Sequence, residues 1–479
     1  MLLGAVSLPH LALADDDADV RWTNTVRLGT QYQFNKVPPL AENKCWSGIN
    51  CGYGSDFTQG RADWLSELEV GKGDIGLKAS LEARKDMVER DSSYIQLFEA
   101  NLHGAGELAG RPVTFSIGRQ SVIWGESLYF AGNGIAGAQA PIDATAGFDS
   151  AGYAATAHFL PVGQASASWQ VTDTLTLLAY QQFEWRRDRV DPEDAYASSG
   201  DVLGDDDLRR IALYDAEYGP ISYNRIGAAT PGGADQFGLG LKLRRNEWDI
   251  GLYLLQFDAK TPAVVYYRQV HDYSLNYARG AGLAGASLAG PIGDATLGAE
   301  FSVRRHTQLS DGGIFIPAGS NGDPAIPRGD TLNGQVSLTV PIEPGPILPG
   351  GATWTTEIAG NHLSAVPANP GLVAPDRTRD AGGLRTLFTA QFYQVLPRLD
   401  LGVPIGVGYA FAGRSAVIPE MNRGAGDVSI GLAATFASSW TADLTLTRYF
   451  GTDWIPIPGY SGRPLSEWNK IGMTVQRSF

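Results

Sequence analysis

The sequence has no long hydrophobic run. Hydrophobic residues make up 43% of the 479 residues, yet no stretch of eighteen apolar residues follows the N-terminus, which excludes a helical membrane span. The sequence also has no linker, no break in composition and no long stretch of helical period. Any of these would mark the two or three domains that are usual for a soluble protein of this length. These absences indicate a single unit whose apolar residues are dispersed along the chain.

Residues typical of catalytic and metal sites are few. The six histidines are scattered without metal-ligand spacing. A Gly-x-Ser-x-Gly elbow and a phosphate-binding loop are both missing. We therefore expect no enzyme activity, no metal and no cofactor. The formal net charge of -14 also argues against nucleic-acid binding.

There are only two cysteines, in the segment Cys45-Trp-Ser-Gly-Ile-Asn-Cys51. In an exported protein, a close pair in a loop predicts one disulfide, here Cys45–Cys51, which would fix the loop tip. Zinc is the alternative, but it needs two more ligands, and neither His nor Cys lies nearby.

Export is predicted by residues 1–14. This apolar stretch ends in Ala-Leu-Ala and is followed by three aspartates, a pattern typical of a secretory signal peptide. The basic region that normally precedes the apolar core is missing. We therefore interpret the recorded start as truncated or mis-assigned.

What the chain does contain is an alternation of period two. From Trp22 to Phe34, apolar and aromatic residues alternate with arginine, glutamine and hydroxyl residues, and the last such segment ends at Phe479. The runs are about ten residues long, enough for a tilted strand to cross a membrane. Aromatic residues at the strand ends and the predicted export favour lipid outside and water inside, whereas a soluble barrel would turn its apolar face inward. We predict an all-β fold, a single transmembrane antiparallel β-barrel of about eighteen strands in the bacterial outer membrane.

Short and long connections alternate between the candidate strands, with eight short turns and nine long connections. Short turns are typical of the periplasmic end and long loops of the external end, so both termini are expected on the periplasmic side. Two segments show the strand pattern least clearly. Residues 280–290 are rich in Gly and Ala, and residues 384–396 are apolar on both faces. The long connections are 35–61, 86–92, 120–163, 186–234, 259–276, 305–330, 363–383, 412–425 and 451–466.

Eighteen strands leave room for an aqueous lumen, so the inward residues form the candidate functional surface. One interpretation is a ladder of opposite charges that keeps the lumen wet. The other is a set of basic contacts for a carboxylate, which arginine binds in a bidentate manner. The candidate substrate contacts are Arg27, Arg84, Arg119, Arg244 and Arg304. The other inward charges by alternation are Glu67, Glu69, Lys78, Glu82, Glu184, Lys242, Glu300 and Glu357.

Two long connections carry further candidates. We predict that loop 120–163, together with 186–234, folds into the lumen as a constriction, because loops of this length are usually functional or disordered. Its aromatic residues, suited to apolar solutes, are Trp124, Tyr129, Phe130, Phe148 and Tyr153. The alternative is an external cap that packs on itself. Eight acidic residues fall between Asp188 and Asp207. We interpret them as a solvated loop, with binding of divalent cations beside lipopolysaccharide, or a filter at the pore mouth, as the alternatives.

The run Gly118-Arg119-Gln120-Ser121-Val122-Ile123-Trp124-Gly125-Glu126 is distinctive. With the later segments 141–143, 160–162, 175–185, 188–192, 234–239 and 248–257, it resembles the outer-membrane family catalogued as domain of unknown function 1302. The family is more distantly similar to the alginate-export porin. The resemblance implies a large barrel that takes up hydrophobic or aromatic molecules, and no active site to carry over.

The residues and the resemblance together predict a passive, substrate-selective outer-membrane channel for small hydrophobic or aromatic molecules. If the candidate arginines contact the substrate, carboxylate-bearing molecules are included. The alternative is a structural or adhesive barrel with a plugged lumen. Expected partners are lipid, lipopolysaccharide and a small-molecule solute. The strand number is compatible with a homo-oligomer, but no interface is readable in the sequence.

Overall fold

The computed structural model describes residues 18–34, 56–88, 93–146, 159–189, 210–215, 219–227, 230–267, 270–310, 314–316, 325–418, 421–451 and 469–479. Within these ranges the chain forms strands and three short 3-10 turns, Ile135–Ala138, Ala144–Ala146 and Pro370–Leu372. No helix in the described ranges has the length and apolar character needed to span a membrane.

The strands in chain order are β1 Asp19–Gln33, β2 Phe57–Lys72, β3 Ile75–Asp86, β4 Tyr94–Leu108, β5 Arg111–Gln120, β6 Val162–Gln170, β7 Leu175–Gln182, β8 Arg210–Asp215, β9 Gly219–Arg225, β10 Phe237–Arg245, β11 Trp248–Phe257, β12 Ala263–Tyr267, β13 Asp272–Asn276, β14 Ala281–Ile292, β15 Ala295–Gln308, β16 Ile314–Ile316, β17 Arg328–Ile342, β18 Ala352–Ala368, β19 Asp380–Leu396, β20 Leu399–Ala412, β21 Gly426–Phe436, β22 Trp440–Phe450 and β23 Lys470–Ser478.

Eighteen of these strands form one closed antiparallel barrel. Each barrel strand pairs with the next barrel strand along the chain, and β23 pairs with β1 to close the ring. At this seam the main chains of Asn24 and Phe479 exchange two hydrogen bonds of 2.9 Å. Closure leaves no free edge, which a sheet in a bilayer requires. The predicted fold class and strand number are therefore confirmed.

The connections of the barrel alternate as the sequence predicted. Turns such as 73–74 and 437–439 lie at one end, and the long connections lie at the other. The two uncertain segments are also barrel strands, since 280–290 falls largely in β14 and 384–396 falls in β19.

The outer face of the barrel is apolar and the inner face is polar. Residues of alternating strands such as Leu77, Phe301 and Ile430 are exposed on the outside. The buried inner positions between them are mostly polar, for example Gln164 and Gln335. A water-soluble protein buries apolar residues instead. The distribution is that of a barrel surrounded by lipid.

Five shorter strands form a second sheet, in the order β16-β12-β13-β9-β8. They lie within the long connections that follow β7, β11 and β15. The pairs β12–β16 and β13–β9 are parallel, and the other two are antiparallel. Tyr266 and Tyr273 are fully buried in this sheet. In the sequence these segments lie in the long connections 186–234, 259–276 and 305–330, where the alternation predicts no sheet.

Two exposed residues of the outer face allow a test of whether this face lies in lipid. Val336, at the middle of β17, is 51% exposed, and Ile292, beside the turn at the end of β14, is 52% exposed. In lipid vesicles, Val336→Arg is expected to lower the free energy of unfolding by about 2–4 kcal/mol, and Ile292→Arg by about 0–1 kcal/mol, because a charge costs most at the bilayer midplane. Urea titration of the reconstituted barrel measures both. Equal losses would contradict the placement of this face in lipid.

Candidate functional site

The connection between β5 and β6 lies against the inner wall of the barrel. Its described residues 121–146 are called the lumen loop below. The strongest contact is made by Glu357 of β18, which is 0% exposed and alternates with the outward residue Ile358. Its carboxylate accepts the main-chain N–H groups of Leu128, Tyr129 and Phe130 at 3.0, 2.6 and 2.9 Å. One wall side chain thus fixes three consecutive residues of the loop.

A second carboxylate, Glu300 of β15, holds the loop on either side of that contact. It accepts the N–H of Glu126 at 3.1 Å and of Ile135 at 3.3 Å. The side chain of Gln335 donates to it at 2.6 Å. Charge-assisted bonds of this kind are stronger than neutral ones, and at both carboxylates they are made to the main chain of the loop.

Asn133 and Arg304 complete this docking. Arg304 of β15, only 4% exposed, donates to the carbonyls of Asn133 and Gly134 at 2.9 and 2.6 Å. The Asn133 amide donates to the carbonyls of Gly334 and Gly360, each at 3.2 Å. The wall thus satisfies the carbonyls of this turn, and the carbonyl of Phe130 accepts its two N–H groups, as buried main-chain groups require.

The far end of the lumen loop meets a different part of the wall. Arg84 of β3 donates to the Thr145 hydroxyl at 2.7 Å, and Arg61 of β2 donates to the Thr145 carbonyl at 3.2 Å. Asp63 pairs with both arginines at 2.8 Å. Asp143 accepts a bond from Arg189 at 2.6 Å. The loop therefore spans the lumen from β15 and β18 to β2 and β3.

An aromatic cluster anchors the start of the loop. Trp124 is buried against Tyr180 of β7 and Tyr253 of β11, with ring centroids 5.0 and 5.6 Å apart. Ile135, fully buried, packs into the same cluster. Aromatic contacts of this geometry add to the free energy gained by burial.

Two external segments are tied to the lumen loop. Asp188 accepts the N–H of Ile142 at 2.8 Å and the hydroxyl of Thr261 at 2.7 Å. Lys260 donates to the carbonyl of Ala138 at 3.1 Å. Burial lowers the pKa of the Lys260 ammonium to about 8. The loop is therefore held from the external side as well as by the wall.

Three of the five candidate arginines, Arg84, Arg304 and Arg119, donate hydrogen bonds to other residues of the protein. Arg84 and Arg304 hold the lumen loop, as described above. Arg119 pairs with Glu184 and donates to the carbonyl of Leu97 at 2.9 Å. Arg119 also has the same strand parity as the outward residue Ile117, so it does not face the lumen with the others.

The other two arginines lie apart from the loop contacts. Arg27 is on the inner face of β1 and interacts electrostatically with Asp443 of β22. Arg244 lies near the short turn after β10, is largely exposed and is 3.8 Å from Asp249. The five arginines do not form one cluster.

Only some of the predicted site residues lie within the described ranges. Of the loop aromatics, Trp124 is buried, while Tyr129 and Phe130 are half-buried and held at their N–H groups by Glu357. Phe148 and Tyr153 lie outside the described residues. The cysteine pair Cys45 and Cys51, residues 1–14 and the acidic residues 191–207 also lie outside them.

The polar residues that dock the loop are not predicted by the sequence. Asn133, Asn361 and Gln335 form a hydrogen-bonded group with one another. The only local signal was the Asn133-Gly134 pair, a dipeptide that favours a turn. The alternation had placed Glu300 and Glu357 inward, but it gave no information on their partners.

The closed sheet, its apolar outer face and its polar interior define an outer-membrane β-barrel. The chain belongs to the family described as protein of unknown function DUF1302, whose model matches residues 88–479. A comparison with curated protein sequences gives no match.

Solved structures of outer-membrane proteins are similar over nearly the whole length. The outer membrane channel DcaP of Acinetobacter baumannii is 12% identical, with 97% of this chain and 99% of that chain covered and a TM-score of 0.41. OccK9 (OpdG) of Pseudomonas aeruginosa is 12% identical, with 96% and 98% covered and a TM-score of 0.47. OccAB4 of Acinetobacter baumannii is 9% identical, with 97% and 99% covered and a TM-score of 0.47.

The docking of the loop can be tested at Gly134. A Cβ atom at this position would lie 2.8 Å from the Ser127 Cβ and 2.9 Å from the Gln335 Nε2, and would also meet the Glu300 carboxylate. Gly134→Val should therefore loosen the loop and make chymotrypsin cleavage after Tyr129 or Phe130 about tenfold faster, since overpacking of this kind costs about 1–3 kcal/mol. Mass spectrometry of the reconstituted barrel gives the rate.

The matched control is Gly282→Val in β14, where a Cβ would meet nothing within 4 Å. It should leave the cleavage rate unchanged. If both variants are cleaved at the rate of the parent, the loop is not held by the contacts around Gly134.

Proposed function

We propose that the protein is a passive, substrate-selective channel in the outer membrane for small hydrophobic or aromatic molecules. In this proposal the lumen loop narrows the barrel and selects the solute. The observation that carries the proposal is the fixation of the loop main chain by Glu357 and Glu300 on the inner wall.

The size of the barrel supports this function. Eight strands enclose an interior that side chains fill, whereas 16–18 strands leave an aqueous channel. An eighteen-stranded barrel with a polar inner face therefore has room for both the loop and a water-filled passage. A loop held at a defined place in such a barrel fixes the width of the passage.

The contacts of the arginines restrict where a carboxylate-bearing solute would be recognised. Arg84 and Arg304 donate to the loop, and Arg119 pairs with Glu184. Arg27, beside Asp443, and Arg244, beside Asp249, are proposed as the basic substrate contacts, because the strand alternation directs both cations toward the lumen. The expected neighbours of the outer face remain lipid and lipopolysaccharide, and a homo-oligomer remains a prediction.

The first test uses single-channel conductance. Glu357→Gln removes the charge from the carboxylate that holds three N–H groups, so the loop should detach more often and the mean conductance in planar bilayers should rise severalfold. Glu343→Gln, an equivalent change at an exposed position in a periplasmic turn, serves as the control and should conduct as the parent does.

A parent protein that conducts no current at any voltage would contradict the channel and would favour a structural barrel with a plugged lumen. A parent that conducts, with Glu357→Gln indistinguishable from Glu343→Gln, would retain the channel but remove the lumen loop from the control of its width.

The second test separates recognition from loop docking. Arg27→Gln should slow the liposome uptake of benzoate severalfold and leave that of benzyl alcohol unchanged, because it removes a cation from the lumen wall. Arg84→Ala should change the uptake of both solutes together, since it releases Thr145 of the loop. If Arg27→Gln affects both solutes equally, Arg27 is not a carboxylate contact.

A further inference from the structure

A cavity of about 610 Å³ lies between the first residues of the lumen loop and the inner wall formed by β3 to β7. The loop contributes Val122 and Trp124 to it, and the wall contributes His103 and four hydroxyl residues. Small-molecule sites usually have volumes of roughly 300–1,000 Å³. The cavity is therefore large enough for a solute with one or two rings.

The four hydroxyl residues form a compact polar patch. Thr114 of β5 lies directly opposite Ser168 of β6, and Ser116 lies opposite Ser166. Directly opposed residues on one face of a sheet have Cβ atoms about 5 Å apart. All four side chains share the inner face, since they alternate with the outward residue Phe115 and its neighbours. Each hydroxyl can accept hydrogen bonds and donate one; the hydroxyl of Ser116 donates to the Asn101 Oδ1 at 3.4 Å, so it meets a solute as an acceptor.

The imidazole of His103 borders this patch in a fixed position. It lies opposite Ser116 in the register of β4 and β5. Its Nδ1 is 3.3 Å from the Asn101 Oδ1. A Cβ at Gly76 would come within 2.9 Å of the His103 Cε1. The absence of a side chain at Gly76 therefore leaves the space that the ring occupies.

The cavity offers hydrogen bonds but neither an arginine nor a lysine among its described lining residues. The one carboxylate among those residues, Asp74, is in the periplasmic turn. The nearby Lys78 is paired with Glu67 at 3.7 Å and with Glu99. A carboxylate entering the cavity would lose water without gaining an arginine or lysine partner, which is costly. A neutral hydroxyl or carbonyl group would exchange its water for the hydroxyls of the wall.

We propose that this cavity is a binding subsite for neutral ring compounds that carry hydroxyl or carbonyl groups. The ring packs against Trp124 and Val122, and the polar groups bond to the patch formed by Thr114, Ser116, Ser166 and Ser168. The subsite rests on the proposed channel function and makes its substrate class specific, because solutes that pass the lumen loop would pause here.

Calorimetry on the full chain in lipid nanodiscs tests the subsite without any need for conduction. The probes are 4-hydroxybenzyl alcohol and 4-hydroxybenzoate, which share a ring and a phenol but differ in charge. The parent should bind the alcohol at least about tenfold more tightly than the acid. The double variant Ser166→Ala/Ser168→Ala should weaken binding of the alcohol at least about fivefold, because two hydrogen bonds are lost.

The matched control is Thr339→Ala/Thr355→Ala, which removes two inward hydroxyls from β17 and β18, away from the cavity. It should bind the alcohol as the parent does. Equal binding of alcohol and acid, no binding of the alcohol, or equal losses in the two double variants would each overturn the subsite. If the binding pattern holds while the parent conducts no current, only the channel function fails.

Discussion

The structure depends on one requirement of the bilayer, that every main-chain N–H and C=O group must find a partner within the protein. A sheet meets this requirement only when its first and last strands pair, as β1 and β23 do here. Closure then separates two environments with opposite demands. The outside must be apolar at every second residue, and the inside is free to carry charge.

The same requirement explains the chemistry of the inner wall. A long loop that enters the barrel brings main-chain polar groups with it, and these need partners as much as the strands do. The wall supplies them from side chains that the alternation already directs inward. Glu357 and Glu300 accept N–H groups, and Arg304 donates to carbonyls. These charged side chains of the lumen wall thus bind the loop and are not free to bind a solute.

The fold could be predicted from the sequence because the signal is local. A period of two is visible within ten residues, and the connections between such runs give the strand number and the orientation of the ends. The second sheet left no such signal. Its strands are short, and the pairing of Val265 with Ile314 joins two different connections.

The candidate site was predictable only in part, because its contacts are not local in sequence. Alternation placed Glu357 and Arg304 on the inner face, but the partners of both are main-chain groups, which carry no sequence signature. Arg84 and a substrate-binding arginine look alike in a sequence, and only the course of the loop shows that Arg84 contacts Thr145.

The contacts of Glu357 also bear on assembly. Tyr129 and Phe130 lie more than 220 positions before the residue that holds them. Contacts between residues so far apart in sequence cannot form before β15 and β18 have joined the sheet. By contrast, β5 and β6, the two strands that flank the lumen loop, pair with each other locally. Until β15 and β18 are in place the lumen loop has no binding site on the wall, so the passage cannot have the width that it has in the closed barrel.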